Sequence, residues 1–315
     1  MTSPRAAFLL PLLAPLLAGA SVPVSLGQDA AQKAGAIDLV EVRTDRQDRM
    51  TVSVRIGEAG PYRFLIDTGA ERTVVSRSIA ETLKLVPAGR ATLVGVAGSL
   101  PVDMVEVDEI KLGRRSYYAL LTPLLESHHM GADGIIGIDG LQGQRVLLDF
   151  ARNTMAVSEA NDLGGNRGFE IIVRAHRRSG QLIMTNAMID GVKTDVVIDT
   201  GARTTIANRA LQRALAKRGK LEQTSLMSVT GQSILADLAI VRRFKVGNLE
   251  LNGVQIAFAD APPFARLDLA DKPALLLGMN ELRVFKRVAI DFESRKVLFD
   301  LPNGVASTRN SVTLR

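Results

Sequence analysis

One run of residues occurs twice in this chain, and that repeat constrains the fold more than any other feature. Phe64-Leu65-Ile66-Asp67-Thr68-Gly69-Ala70 returns 132 residues later as Val196-Val197-Ile198-Asp199-Thr200-Gly201-Ala202. The likeness continues in order on both sides. Val42-Arg43 corresponds to Val173-Arg174, Val96-Ala97-Gly98 to Val229-Thr230-Gly231, and Lys111-Leu112-Gly113 to Lys245-Val246-Gly247. Further on, Ile135-Ile136-Gly137 answers Leu276-Leu277-Gly278, and Leu148-Asp149-Phe150 answers Ile290-Asp291-Phe292. The offset grows by about seven residues late in the repeat, which puts one insertion in the second copy near Asp260-Ala261-Pro262-Pro263. A long period repeated once means two similar units with an interface between them.

Composition says what those units are made of. The chain has 315 residues, 46% of them apolar, enough for two cores. Only 4% are aromatic and none is Trp, so Val, Leu, Ile and Ala carry the apolar content, as in buried strands. Each copy reads as short apolar or alternating strands between glycine turns, with one helical stretch after its Asp-Thr-Gly, Ser76 to Leu85 and Asn208 to Arg218. With no Cys there is no disulfide framework, thiol nucleophile, Cys-ligated zinc or iron–sulfur cluster. Three His leave little for a metal site, and His128-His129 with Asp133 reads as loop; Asp133 and Asp139 are expected as solvated loop acids. The formal charge is +6, but Lys and Arg are spread along the chain, which argues against a nucleic-acid partner.

The N-terminus reads as an export signal. Arg5 is the only charged residue before Asp29, and the apolar run Ala6 to Leu17 leads into Ala18-Gly19-Ala20, a small-residue cleavage pattern. Pro11, Pro15 and Pro23 interrupt the stretch and its strongly apolar part is short for a bilayer span; left uncleaved, it would be an anchor. The expected organisation is a signal peptide over 1–20, a linker over 21–38, a first lobe over 39–157, a linker over 158–168, a second lobe over 169–301 and a loose tail over 302–315. The expected location is exported, in a bacterial periplasm.

An apolar strand that ends in Asp, followed by a hydroxyl residue and Gly, presents a carboxylate where the chain turns sharply. Two such carboxylates, Asp67 and Asp199, can meet at the interface between the copies. Like charges so close cannot both ionise, so they hold one proton between them and form an acid beside a base. That pair can activate water against a peptide carbonyl with neither metal nor cofactor. Thr68 and Thr200 are placed to lock the loops across the interface, and Gly69 and Gly201 to bring backbone N–H groups to the carboxylates.

Asp67-Thr68-Gly69-Ala70 and Asp199-Thr200-Gly201-Ala202, each with a later apolar-apolar-Gly element, resemble the aspartic peptidases, and the Ala after Gly resembles the retroviral branch. Glu71-Arg72-Thr73-Val74 extends the likeness, which covers about residues 40 to 300. The resemblance implies an all-β acid-protease fold with a few short helices: two pseudo-twofold-related retropepsin-like lobes in a single chain, with the active site between them. It implies a monomeric endopeptidase acting on polypeptides, including the outer portions of membrane proteins. It also implies hairpin flaps, here around Val96, Ala97 and Gly98 and around Val229, Thr230 and Gly231; neither segment holds the Tyr of pepsin-like flaps. A silent peptide-binding protein on the same fold, or a processing enzyme of one partner, stays open at this point. Because both residues after the Gly are Ala, the pair lacks the hydroxyl that would hold its pKa low.

Overall fold

The computed structural model describes residues 38–44, 49–215, 221–302 and 312–314, all within one compact unit, Ala36–Arg315. The expected signal peptide, and all but the last residue of the linker after it, lie outside these residues.

Each copy folds its own sheet. In the first, the strands Arg43–Thr44, Met50–Ile56, Ala59–Ile66, Val74–Ser76, Val86–Gly95, Gly98–Leu112, Arg115–Leu125 and Gly134–Ile136 form eight strands. In the second, His176–Arg178, Gln181–Ile189, Val192–Ile198, Ile206–Ala207, Glu222–Met227, Ser233–Val246, Leu249–Phe258 and Ala274–Leu277 follow the same order across their sheet. The repeat in sequence is thus a repeat in topology. A ninth strand, Val312–Leu314, runs parallel to Leu249–Leu251, so the stretch expected as a loose tail holds a paired strand. Backbone pairing gave no periodic signal in a segment only three residues long.

A third sheet joins the copies. The first contributes Asp38–Glu41, Thr154–Ser158 and Arg145–Asp149; the second contributes Arg287–Asp291, Lys296–Asp300 and Ile171–Arg174. Its central pair is antiparallel, with Arg145 opposite Asp291 and Asp149 opposite Arg287, as a twofold relation between copies requires. The segment 159–168 between the copies consists mainly of turns. Asp291 pairs with Arg145 at 2.7 Å, and Asp149 accepts the Arg152 N–H at 3.0 Å.

Strand ends next to the repeated motif are buried on both faces. Phe64, Leu65 and Ile66 precede Asp67, and Val196, Val197 and Ile198 precede Asp199, each at most 3% exposed. Covering both faces is what allows a run without polar alternation, and each such side chain contributes about 1.5–3 kcal/mol. Parallel pairing fixes these ends: Leu65 lies beside Ile135 and Val197 beside Leu276. The two expected helices form as Arg77–Leu83, capped by Ser76, and Arg209–Ala214, capped by Asn208. Short helical turns that the sequence reading did not separate follow later in each copy, Ser127–Met130 and Ile138–Gly140 in the first, Pro262–Arg266 and Met279–Leu282 in the second.

Candidate active site

The two Asp-Thr-Gly turns face each other across the pseudo-twofold axis. Thr68 Oγ1 donates to the Ile198 carbonyl at 2.9 Å and accepts the Thr200 N–H at 3.3 Å. Thr200 Oγ1 donates to the Ile66 carbonyl at 2.8 Å and accepts the Thr68 N–H at 3.0 Å. Both threonines are buried, so this four-bond lock is made away from water, where an unpaired partner is costly.

Above the lock stand the carboxylates. Asp67 Oδ1 accepts the N–H groups of Gly69 at 2.8 Å and Ala70 at 3.0 Å; Asp199 Oδ1 accepts those of Gly201 at 3.0 Å and Ala202 at 3.1 Å. Each carboxyl group lies against the glycine of the opposite turn, close enough for the two to influence each other's ionisation. Glycine is needed for this approach. A Cβ on Gly69 would lie 2.9 Å from Asp199 Cγ, and one on Gly201 2.2 Å from Asp67 Oδ2. Burial raises the pKa of Asp67, against the pull of the Gly69 and Ala70 N–H groups and the Arg49 charge. Asp199 is pushed up to about 8, first by burial and then by the charge on Asp67. Between these two ionisations the pair carries one proton.

The glycines of the apolar-apolar-Gly elements sit under the turns: a Cβ on Gly137 would meet the Arg72 backbone at 2.4 Å, and one on Gly278 the Arg203 carbonyl at 2.8 Å. Beneath them lies a second layer that sequence reasoning missed. Thr73 N–H and Oγ1 both bind Asp139 Oδ1, at 2.9 and 2.7 Å, and in the second copy Thr205 donates to Glu281. Asp139 is therefore not a solvated loop acid. Asp133 stays in a loop, partly open to water, and accepts the Arg63 N–H at 2.8 Å. Thr73 and Thr205 stand 132 residues apart, so the repeat offset was the signal for them.

The expected flap residues lie at two hairpin tips, and each tip reaches into the other copy. Val96 joins an apolar cluster of the second copy with Ile183, Val197, Phe264 and Leu276. Val229 joins the first-copy cluster of Leu65, Val74, Leu125 and Met130, against which Ala70 also packs. The tips touch: a Cβ on Gly95 would lie 2.5 Å from Ser228 Oγ, and one on Gly98 2.9 Å from Gln232 Oε1. Gly231 rests on the His129 ring, where a Cβ would come within 2.3 Å. Between the ends of the flanking strands, 259–273 replaces 126–133, which accounts for the insertion. The longer connection carries Pro262–Arg266, and Arg266 pairs with Glu71 through two bonds of 3.2 and 3.3 Å, one residue beyond Ala70. In step, Glu71 corresponds to Arg203, so the two sides of the site differ in charge; Arg72 and Arg203 are both exposed.

The family model described as aspartyl protease matches residues 52–139 and again residues 185–280. No curated protein matches the chain. The two matches take in both Asp-Thr-Gly turns and both hairpins and together span more than half of the sequence. With its duplicated sheets and paired turns, the chain belongs to the aspartyl protease family and has the two-lobed, retropepsin-like form.

Proposed function

We propose that the protein is an aspartic endopeptidase in which Asp67 and Asp199 form the catalytic dyad, supported by Thr68, Gly69, Thr200 and Gly201. One observation carries this reading: two carboxyl groups set close together across the twofold axis, each held by two backbone N–H groups, with burial and the charge on Asp67 pushing Asp199 up to about 8. The ionised member takes a proton from a water molecule as its oxygen bonds to the scissile carbonyl carbon. The protonated member hydrogen-bonds the carbonyl oxygen. Collapse of the tetrahedral adduct breaks the C–N bond, and a proton from the pair leaves with the amine. The chemistry uses no cofactor or metal and forms no covalent bond between enzyme and substrate.

The tips bearing Val96, Ala97, Gly98, Val229, Thr230 and Gly231 act as flaps that part to admit an extended polypeptide and close over it. Their mutual contact favours a restricted range of substrates, such as one exported partner or the outer portion of a membrane protein. The N-terminal apolar run supports export to a periplasm, and the presence of both lobes in one chain supports action as a monomer.

Incubating the purified protein with a mixed peptide library and reading new termini by mass spectrometry tests the reading. Cleavage that disappears in Asp67→Asn supports it. Absence of any cleavage across pH 4 to 8, with peptide binding retained, favours the silent scaffold.

A further inference from the structure

The dyad is symmetric in its own residues but not in the strands beside it. Thr51 pairs with Leu65 in the first copy, and Ile183 with Val197 in the second. Continued two residues past these pairs, beyond the paired residues of the strands, the same register carries Arg49 toward Asp67 and Gln181 toward Asp199, and the Arg49 charge acts on Asp67. Side chains directly opposite on such a pair have Cβ atoms about 4.5–5.5 Å apart and share a face. Arg49 and Gln181 are each 5% exposed. They are also related by the repeat offset of 132. Asp67 therefore has a buried cation acting on it, and the residue that takes the place of that cation in the second copy is a buried neutral amide.

Both neighbours are held in place. Arg49 donates from Nη2 to the Met130 carbonyl at 2.6 Å, in the helical turn that carries His129. Gln181 donates from Nε2 to the Gly69 carbonyl at 2.5 Å, bridging to the opposite turn. The charged groups around Asp67 are Arg49 across the strand pair and Asp199 across the twofold axis. Glu71 is engaged by Arg266, and Arg72 and Arg203 are exposed to water.

Granting the proteolytic reading of the dyad, the geometry points to Arg49 as the positioning residue that breaks its symmetry, holding Asp67 as the ionised base and leaving the shared proton on Asp199. A buried guanidinium opposite a carboxylate favours its charged form, whereas an amide offers no such charge. The direction agrees with the Arg49 charge pulling Asp67 down while Asp199 is pushed up. In the reaction Asp67 then accepts the water proton and Asp199 polarises the peptide carbonyl. That assignment fixes which lobe faces the attacking water, and so the direction in which the peptide lies across the site.

The test is a carboxyl NMR titration of the full chain labelled with 13Cγ-Asp, the two resonances being assigned with Asp67→Asn and Asp199→Asn. In the wild type, Asp67 is expected as carboxylate and Asp199 as acid at pH 6. In Arg49→Gln the lower midpoint is expected to rise by about one unit or more, and in Arg49→Lys to stay near the wild-type value. The exchange Arg49→Gln with Gln181→Arg is expected to move the proton to Asp67. A wild-type protein in which Asp199 is the carboxylate overturns the assignment without recourse to any Arg49 variant. So does a folded Arg49→Gln protein with an unchanged titration. Peptide hydrolysis is read on the same samples. An inactive wild type with the expected titration contradicts the proteolytic reading and leaves the charge assignment standing.

Discussion

Thr68 and Thr200 show how a single hydroxyl on each copy ties the two turns together. Each donates to a carbonyl of the other copy and accepts an N–H from it, so Thr68→Val or Thr200→Val leaves two groups unpaired in a dry interface. Each substitution is expected to cost about 1–3 kcal/mol and to lower kcat with it; an unchanged melting temperature and rate would show that the bonds do not hold the turns. The dyad itself opposes stability as pH rises. Asp199 ionises near 8 in the folded state against 3.8 as its ordinary value, so between those pH values the folded chain binds more protons than the unfolded one. Stability is fully present below about 4 and declines toward 8, by on the order of 1 kcal/mol per pH unit at most. Asp199→Asn removes that slope, so its melting temperature should exceed that of the wild type at pH 8 and converge with it near pH 4. Parallel curves would contradict the raised pKa. Ala70→Ser with Ala202→Ser adds a hydroxyl that can bond the carboxylates, and its pH–rate profile should shift to lower pH. The Asp-Thr-Gly-Ala turns were legible in the sequence because their chemistry is local. Arg49 and Gln181 were not, because their relation to the dyad depends on strand register, although the repeat offset places one over the other.

The hairpins and the inserted helix are the elements on which the two copies differ. Gly231 has φ of +79° and lies on His129, so Gly231→Ala combines backbone strain with a collision against an aromatic ring. It is expected to lower kcat/KM at least about ten-fold with little change in melting temperature, since it is the closure of the tip and not the core that is lost when the tip fails to seat. Adding His129→Ala should recover part of that loss. Wild-type kinetics in the single variant would show that this tip does not close over substrate. Both hairpin positions could be read from their spacing after each Asp. Their exchange between copies could not, because Val96 and Val229 look like ordinary turn residues until the lobes are brought together. The insertion was visible as a change of offset, but its helix and the Arg266 to Glu71 pairing depend on where the segment lands.

At the scale of the molecule, the six-stranded sheet makes two copies into one body. Sequence order hides this sheet, since each copy supplies three strands from its two ends. At its centre Arg145 pairs with Asp291 at 2.7 Å, both at most 2% exposed, and also donates to Asn166 in the connecting segment. Burial raises the Asp291 pKa, but the Ser294 bonds and Arg145 outweigh it and leave it lowered. The contribution is therefore present above the ordinary carboxylate range and lost as pH falls through the folded value. Arg145→Met strands the Asp291 charge and is expected to cost about 3–5 kcal/mol at pH 7, less in acid, by chemical denaturation. A loss that does not shrink in acid would mean packing, not charge, is what the variant removes. The claim on which the whole account rests is that two copies meet so that two carboxyls share one proton and hydrolyse a peptide. The most direct measurement is the pH dependence of kcat/KM on one cleaved peptide for the wild type, Asp67→Asn and Asp199→Asn. The account predicts a bell whose alkaline limb falls near pH 8 in the wild type, and a loss of at least about a thousand-fold in both folded variants. Substantial activity in either variant, or a rate that keeps rising past pH 9, would contradict it.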